Sequence, residues 1–299
     1  MAQGESYTQS TALANSYVKV MKLILKSKAK LLNKLKQKGG VTQKNHTWTY
    51  DSVATPASVS AAVEGAAITP DAPGDLSEGT NYCQIVKKSY SISGTQDATM
   101  YQGVDSYLAL QKKKALEFVG INIEWAILNG TGNSGATGTG REMKGIRAFA
   151  SANTDCDATA TSTTVSGTAG EVAVNSMLTL MWAQGADADL IICSSANKAN
   201  LDAWSAYNTR FQDTKDGKIM STVNVYGART GVQIELMMHA LANDTDIYGV
   251  VTDDLYVAYM RPTNTRDLPR SMDGIPFLAL AEATLECRGV YSCGYVIIS

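Results

Sequence analysis

Cysteine and histidine are scarce in this 299-residue chain, and both shortages limit the chemistry that it can perform. The five cysteines are odd in number and form no C-x-x-C pair, which argues against a disulfide scaffold or a zinc site. We therefore expect free thiols, as in a protein made in a reducing cytoplasm. The cysteines are Cys83, Cys156, Cys193, Cys287 and Cys293.

Only two histidines are present, which leaves little material for a metal cluster or a Ser-His-Asp site. No nucleophile-elbow motif occurs, and no pair of carboxylates has a catalytic spacing. His239 follows Met237 and Met238 at the end of a predicted strand, so we expect it to be packed and not to act as a base. The sequence therefore predicts no enzyme, no catalytic residue, no cofactor and no metal.

Two further patterns resemble binding motifs, but each lacks a feature that its motif requires. Gly130, Gly132 and Gly135 satisfy G-x-G-x-x-G, yet a dinucleotide fingerprint must follow a strand, and these glycines follow a predicted helix. The run from Asp244 begins like a calcium loop, but Tyr248 occupies the third ligand position. Neither pattern predicts a ligand site.

Long apolar runs are also missing, since no stretch of about eighteen apolar residues occurs and a membrane span is not predicted. The first apolar cluster, Val18 to Leu25, contains Lys19 and Lys22 and has no small-residue cleavage site after it, so we expect no signal peptide. The sequence thus predicts no membrane partner.

Charged residues make up only 18% of the chain, whereas apolar residues make up 44%. This balance suits a protein whose outer faces are covered by neighbours, and it equally suits a secreted β protein. The charge is also uneven. Residues 1–50 carry nine lysines and one acidic residue, a net +8, which leaves −10 for the remainder of a chain whose total is −2.

The basic charge is concentrated in a segment that is predicted to be an amphipathic helix from Val18 to Gln37 and to end at Gly39 and Gly40. Such a helix can lie on a membrane, hold nucleic acid or clamp an acidic partner, or it can simply be solvated and docked by its leucines. The lysines that define this basic arm are Lys22, Lys26, Lys30 and Lys34.

Between Trp48 and Ser93 the pattern indicates a long hairpin. An extended piece at Ser58–Val63 is followed by a Pro/Gly/Asp-rich tip at 70–75 and by a second piece at Gln84–Ile92. Both arms are poor in large apolar residues, so the hairpin cannot be stabilised by its own burial and needs a surface to lie on.

The longest predicted element is a helix from Asp97 to Asn129, which would span roughly 45 to 50 Å. Its apolar residues recur at steps of three, four or seven. Ser93 and Gln96 have the spacing of a capping box at its start, and Gly130 ends it. A helix of this length is expected to act as a rigid spacer with a separate folded unit at each end.

The following residues predict a compact α/β unit. A helix opens at the capping-box pair Thr168 and Glu171, the strand Leu190–Cys193 follows, and a helix carries Leu201 and Trp204. Further strands are predicted at 232–236, 247–251 and 255–260, and again between Ala279 and Ser299 with a break at Arg288 and Gly289.

Taken in order, these segments resemble the major capsid proteins of tailed bacteriophages with the Hong Kong 97 type of fold. More specifically, the chain resembles the major head protein family of phage SU-ten type. The resemblance covers about residues 46–299, and the basic segment Val18–Gln37 is not part of it. The stretches that carry it are Trp48–Asp51, Val63–Ala66, Asn81–Ile85, Ser93–Thr95, Arg141–Ile146, Leu255–Pro262 and Ala281–Glu286.

The resemblance implies an α+β fold and a structural virion protein that self-assembles into an icosahedral head enclosing double-stranded DNA. It implies hexamers and pentamers of the chain, other capsid or portal proteins as partners, DNA nearby without sequence-specific binding, and assembly in the host bacterial cytoplasm. The rival functions are another virion component, such as a tail or decoration protein, and a secreted hydrolase or adhesin.

The resemblance also implies a division of the chain and a set of subunit contacts. The expected parts are an N-terminal basic arm at 1–45, an extended hairpin (the E-loop) at 46–93, a spine helix and peripheral domain at 94–168, an axial domain at 169–262, and C-terminal strands at 263–299 that return to the peripheral domain. The expected subunit contacts are Trp48, Glu64, Asn81, Gln84, Arg141, Arg261 and Glu282.

Overall fold

The computed structural model describes residues 29–51, 64–65, 67, 75–99, 106–152, 168–204, 225–270 and 273–297. The helices are α1 Lys30–Lys34, α2 Gly94–Ala98, α3 Tyr107–Asn129, α4 Ile146–Ser151, α5 Thr168–Ala183 and α6 Ser195–Trp204. The strands are β1 Lys36–Gly39, β2 Asn45–Tyr50, β3 Ser77–Tyr82, β4 Gln84–Ser93, β5 Thr131–Asn133, β6 Glu142–Lys144, β7 Leu190–Cys193, β8 Val225–Gly227, β9 Gln233–Met238, β10 Asp246–Val250, β11 Leu255–Asp267, β12 Gly274–Cys287 and β13 Cys293–Ile297.

One half of the structure is a four-stranded sheet with the order β1-β11-β12-β4, against which the long helix α3 packs. β1 runs parallel to β11, while the other pairs are antiparallel. Val119 and Ile123 of α3 are buried together with Phe277 and Leu285 of β12. Burial of each such side chain contributes about 1.5–3 kcal/mol, so this helix face fixes α3 on the sheet.

The other half is a five-stranded sheet with the order β13-β10-β7-β9-β8, in which only β7 and β9 are parallel. Met177 and Met181 of α5 pack against it beside Ile191 and Ile247. Gly249 of β10 allows this approach, because a Cβ at that position would lie 2.7 Å from Met177 Cε. The helix therefore rests directly on the backbone of the sheet.

The helix predicted from Asp97 to Asn129 is shorter in the structure. α3 begins at Tyr107, where the Ser106 side chain accepts the N–H of Ala109, and it spans 23 residues or about 35 Å. The predicted capping box of Ser93 and Gln96 exists, but it caps the separate helix α2, which ends where Thr99 turns extended. Gly130 ends α3 as predicted.

The basic segment predicted to be helical up to Gln37 changes conformation at Leu35. α1 ends at Lys34, and residues 36–39 form β1, which pairs with Tyr256–Tyr259 of β11. A pairing with a distant strand overrides local helix propensity here. The residues before 29 lie outside the described part of the chain, so the predicted helix is not described there.

The predicted hairpin has a different pairing from the one expected. Its described arms are β2 and β3, which pair from Asn45↔Tyr82 to Tyr50↔Ser77. The piece expected to form the second arm, Gln84–Ile92, is β4 and pairs with β12 in the four-stranded sheet. The first predicted arm, Ser58–Val63, lies outside the described residues, as does the predicted tip except for Asp75.

The glycine-rich run after α3, predicted as a loop, contains a short hairpin of β5 and β6. Gly132 and Gly135 adopt positive φ angles of 81° and 79°, which favour glycine. These glycines therefore shape a turn, and the G-x-G-x-x-G pattern has a structural cause.

The compact α/β unit agrees with its prediction in part, since β7 matches Leu190–Cys193 and α6 buries Leu201 and Trp204. The strand predicted at 255–260 does not belong to this unit, because it is the start of β11 and pairs in the four-stranded sheet. The C-terminal strands, however, divide between the two sheets. β12 lies in the four-stranded sheet, as expected, but β13 pairs with β10 in the five-stranded sheet. β11 also crosses the expected boundary at 262, because it runs continuously to Asp267.

Candidate functional site

The base of the hairpin is anchored by Trp48. Its indole is only 9% exposed and lies near the rings of His46 and Phe149, with centroid distances of 5.8 and 6.3 Å. The opposite residue on β3 is Gly79, where a Cβ would come within 2.5 Å of the indole. A side chain at position 79 would therefore displace Trp48.

Asn81 connects the same hairpin to the body of the protein. Its amide nitrogen donates to the carbonyl oxygens of Leu285 (2.7 Å) and Lys144 (3.0 Å), and its Oδ1 accepts the N–H of Lys144 (2.7 Å). The residue is fully buried. Nearby, Gln84 Oε1 accepts the N–H of Met143 at 3.3 Å, so both amides connect strands within one subunit.

Glu282 of β12 is a buried carboxylate that receives two guanidinium groups. Arg141 lies 2.7 Å from Oε1, and Arg261 lies 2.7 Å from Oε2. The Arg261 side chain is 48% exposed, whereas that of Glu282 is 4% exposed. Four of the predicted contact residues, Gln84, Arg141, Arg261 and Glu282, thus belong to one internal arrangement around β12.

Glu286, four residues further along β12, is a second buried carboxylate. It accepts from Arg288 at 2.7 Å and from His46 at 2.8 Å, and Lys38 lies 3.4 Å away. Burial raises the pKa of Glu286, but the hydrogen bonds from His46 and Arg288 and the charge of Lys38 outweigh it and lower the pKa overall. One side chain therefore joins β1, β2 and β12.

A third buried carboxylate, Glu124, lies on α3. Its Oε1 accepts the N–H of Leu31 at 2.6 Å and lies 2.8 Å from His239 Nε2. Because His239 Nδ1 accepts the N–H of Leu241 at 3.1 Å, the ring proton is on Nε2 and is donated to Glu124. His239 is 2% exposed, which confirms that it is packed.

The outer face of α5 is exposed and uncharged. Residues 172–186 contain no charged side chain. Val172, Leu180 and Trp182 are 52%, 38% and 56% exposed, and Ser176 and Thr179 lie among them. The inner face, with Val174, Leu178 and Met181, is buried as predicted. Helices on a protein surface usually carry charged residues on the solvent side, so this face has the character of a contact surface.

Two lysines near the end of the basic segment, Lys34 of the basic arm and Lys36 of β1, contact carboxylates of their own subunit. Lys34 lies 2.5 Å from Glu235, and Lys36 lies 2.8 Å from Asp253. Lys30 is exposed, and Lys22 and Lys26 lie outside the described residues. An open groove of about 1070 Å³ beside Lys34 is lined by equal numbers of lysines and acidic residues, so it has no excess charge that would select a ligand.

The predicted contact residues differ in exposure, and two buried carboxylates lie outside the predicted set. Glu64 is exposed, while Trp48, Asn81 and Glu282 are buried within the subunit. Glu286 and Glu124 were not singled out. Glu282 and Glu286 stand four residues apart in an apolar strand and so share one face, a spacing that could have identified the pair.

The motifs that resembled ligand sites have structural roles. The Asp246 carboxylate accepts the hydroxyl of Tyr248 at 2.9 Å and lies 3.3 Å from Arg147. Among the described residues no group of three or more His, Cys, Asp or Glu side chains is placed to hold a metal ion. None of the helices in the described ranges is long and apolar enough to span a membrane.

Three solved structures of phage or GTA particles have the same fold as this chain. The chain is similar to a subunit of the cyanophage A-1(L) capsid, with 13% identity, a TM-score of 0.70 and coverage of 97% of this chain and 98% of that chain. It is also similar to the capsid of a native GTA particle, with 11% identity, a TM-score of 0.67 and full coverage of both chains. A third match is Mycobacterium phage Bobi, with 12% identity, a TM-score of 0.65 and 97% coverage of each chain. These likenesses establish the Hong Kong 97 type of fold.

Sequence comparison identifies the family. No curated protein matches the chain. The family model described as "SU10 major capsid protein" matches residues 2–297, which is nearly the whole chain. The match confirms the family resemblance found in the sequence, extends it to the basic segment Val18–Gln37, and gives the chain a structural function in the phage head. This chain belongs to the SU10 major capsid protein family.

Proposed function

We propose that copies of this chain assemble as hexamers and pentamers into a closed icosahedral shell around double-stranded DNA, and that the chain performs no catalytic step. The observation that carries the proposal is the uncharged, exposed face of α5. In this arrangement the five-stranded unit is the axial domain, and Val172, Leu180 and Trp182 contact the neighbouring copy. Closed assemblies add many modest interfaces of this kind, so each contact can remain reversible.

The hairpin supplies the second proposed contact. Its base is fixed on its own subunit by Trp48 and Asn81. We infer that the residues between β2 and β3 cover a neighbouring subunit, with Glu64 at the contact. Arg261 has a half-exposed side chain, so a neighbour can reach it as well.

The basic arm has a related role in this proposal. Because Lys34 and Lys36 already contact carboxylates, the lysines that precede residue 29, among them Lys22 and Lys26, pair with acidic surfaces of adjacent subunits. The packaged DNA lies nearby without sequence-specific contacts. Assembly takes place in the bacterial cytoplasm, which agrees with the four described cysteines being thiols and not disulfides.

Assembly of the purified full-length protein tests the proposal. Electron microscopy should show shells or capsomer rings for the wild type and unassembled subunits for Trp182→Asp, because a charge would be buried in the axial contact. Ser151→Asp, which adds the same charge at an exposed position on α4, is the matched control and should assemble. A wild type that stays monomeric, or a Trp182→Asp variant that is folded and assembles normally, would contradict the proposal.

A further inference from the structure

Two of the described cysteines lie in contact with each other. Cys287 Sγ and Cys293 Sγ are 3.8 Å apart, and the residues are 6% and 1% exposed. The other two described cysteines face main-chain carbonyl groups, Cys83 that of Gln43 and Cys193 that of Met237. Cys287 Sγ also donates to the carbonyl of Gly289 at 3.1 Å, so its thiol has both a sulfur and a carbonyl neighbour, and the contact between two sulfurs is what sets this pair apart.

The backbone on both sides of this pair is firmly held. The N–H of Arg288 donates to the carbonyl of Asp254 at 3.0 Å, and the carbonyl of Ser292 accepts the N–H of Val251 at 2.9 Å. The Ser292 hydroxyl also donates to the Asp254 carboxylate. Gly289 is required in this turn, since a Cβ there would lie 2.0 Å from Ser292 Oγ. The two thiols are thus presented to each other by a tight, anchored turn.

The two sulfurs are in van der Waals contact but are not at bonding distance. An S–S bond is about 2.05 Å long, so the sulfurs need to approach by about 1.8 Å. Rotation of the two side chains about their Cα–Cβ bonds is the motion that can bring the sulfurs together. Because the thiols are held together in one turn, their reaction is intramolecular and has a high effective concentration.

We propose that Cys287 and Cys293 form an intrachain disulfide when the protein meets a small-molecule disulfide oxidant such as oxidised glutathione. Cys287, the more exposed of the two, loses its proton and its thiolate attacks the oxidant, which releases one small thiol and leaves a mixed disulfide. The Cys293 thiolate then attacks Cys287 Sγ and releases the second small thiol. Two protein thiols are oxidised by two electrons, and one small disulfide is reduced to two thiols.

The bond would join the two halves of the structure. Cys287 is the last residue of β12 in the four-stranded sheet, and Cys293 is the first residue of β13 in the five-stranded sheet. The disulfide would therefore link the two sheets covalently at the turn between β12 and β13. Arg288, which pairs with Glu286, lies in the same turn. It would also restrict the unfolded chain, so the oxidised protein should resist denaturant better than the reduced protein.

Peptide mapping of the full chain tests this directly. The wild-type protein is incubated with oxidised glutathione, denatured, alkylated and cut with trypsin after Arg270 and Arg288. Peptides 271–288 and 289–299 each contain one of the two cysteines, and they should appear joined under non-reducing conditions and separate after reduction. Recovery of both peptides fully alkylated after prolonged oxidation would overturn the proposal.

Single substitutions establish the order of the steps. Cys293→Ser should stop at a glutathione mixed disulfide on Cys287, and Cys287→Ser should yield no joined peptide. Cys83→Ser, a buried cysteine outside the pair, is the matched control and should form the joined peptide at the wild-type rate. If either Ser variant fails to fold, the wild-type map still decides the result, since the joined peptides require no variant.

Discussion

The four-stranded unit and the five-stranded unit differ in the interactions that stabilise each of them internally. The four-stranded unit buries the carboxylates of Glu282 and Glu286, and each lies between two or more cationic groups. These pairs join segments far apart in the chain, such as Lys38 and Glu286, which are separated by 248 positions. The five-stranded unit relies on close apolar packing, as where Met177 meets Gly249. The five-stranded unit also buries one carboxylate, Asp246, 3.3 Å from Arg147, so the units differ in how many buried charge pairs they contain and not in whether they have any.

Among the substitutions considered, we expect Glu286→Ala to lower the free energy of unfolding the most. The substitution leaves His46, Arg288 and Lys38 without the buried carboxylate that they share, and breaking a buried pair from one side costs about 3–5 kcal/mol. Chemical denaturation of the unassembled subunit measures the change in the free energy of unfolding. A loss below about 1 kcal/mol, the range for exposed pairs, would contradict the importance given to this carboxylate.

Met177→Ala tests the other side of the comparison. Met177 is fully buried, and its removal leaves a cavity between α5 and the five-stranded sheet. We expect a loss of about 3 kcal/mol, within the range for large-to-small core substitutions. The effect should be the same at low and high salt, because no charge is involved. A strong salt dependence would show that the two units do not differ in the way described.

The pH dependence of the free energy of unfolding should also differ between substitutions in the two units. The pKa of Glu286 is lowered in the folded protein, so its contribution to stability is present above the unfolded pKa and is lost as the pH falls through the folded value. The difference in unfolding free energy between wild type and Glu286→Gln should therefore shrink on acidification. The loss caused by Met177→Ala should stay constant over the same range, which makes that variant the control.

The smallest expected effect is that of Lys34→Ala. Its contact with Glu235 is partly exposed, with Glu235 55% accessible, so its removal should change the free energy of unfolding by less than about 1 kcal/mol. The same denaturation experiment measures it. A loss comparable with that of Glu286→Ala would mean that the basic arm, and not the buried carboxylate, fixes the N-terminal segment.

The predictions from the sequence were most accurate for elements whose conformation follows from the local pattern of apolar residues. Leu190–Cys193 is a strand of four buried residues, and Val174, Leu178 and Met181 form the inner face of α5, as their spacing indicated. Where a partner decides the conformation, the prediction was wrong. Lys36–Gly39 is a strand because β11 offers an edge to it.

The carboxylate pairs illustrate the same limit. Nothing near Glu286 in the sequence indicates that His46 or Lys38 would meet it, since those contacts follow from the order of strands in the sheet. The strand β13 was assigned to the wrong sheet for the same reason. The family resemblance was informative because it supplies the order of segments that local patterns lack.

The shared oxygen atom of Glu124 has a mechanical consequence. It receives one hydrogen bond from the N-terminal segment, at Leu31, and one from the end of β9, at His239. The long helix is thereby bonded to both segments through one carboxylate, and Asn129 at its end adds a bond to the carbonyl of Leu241 at 3.1 Å. A rotation of the five-stranded unit about α3 would have to stretch the bonds at His239 and Leu241, and through the shared Glu124 carboxylate it would also act on the N-terminal segment at Leu31.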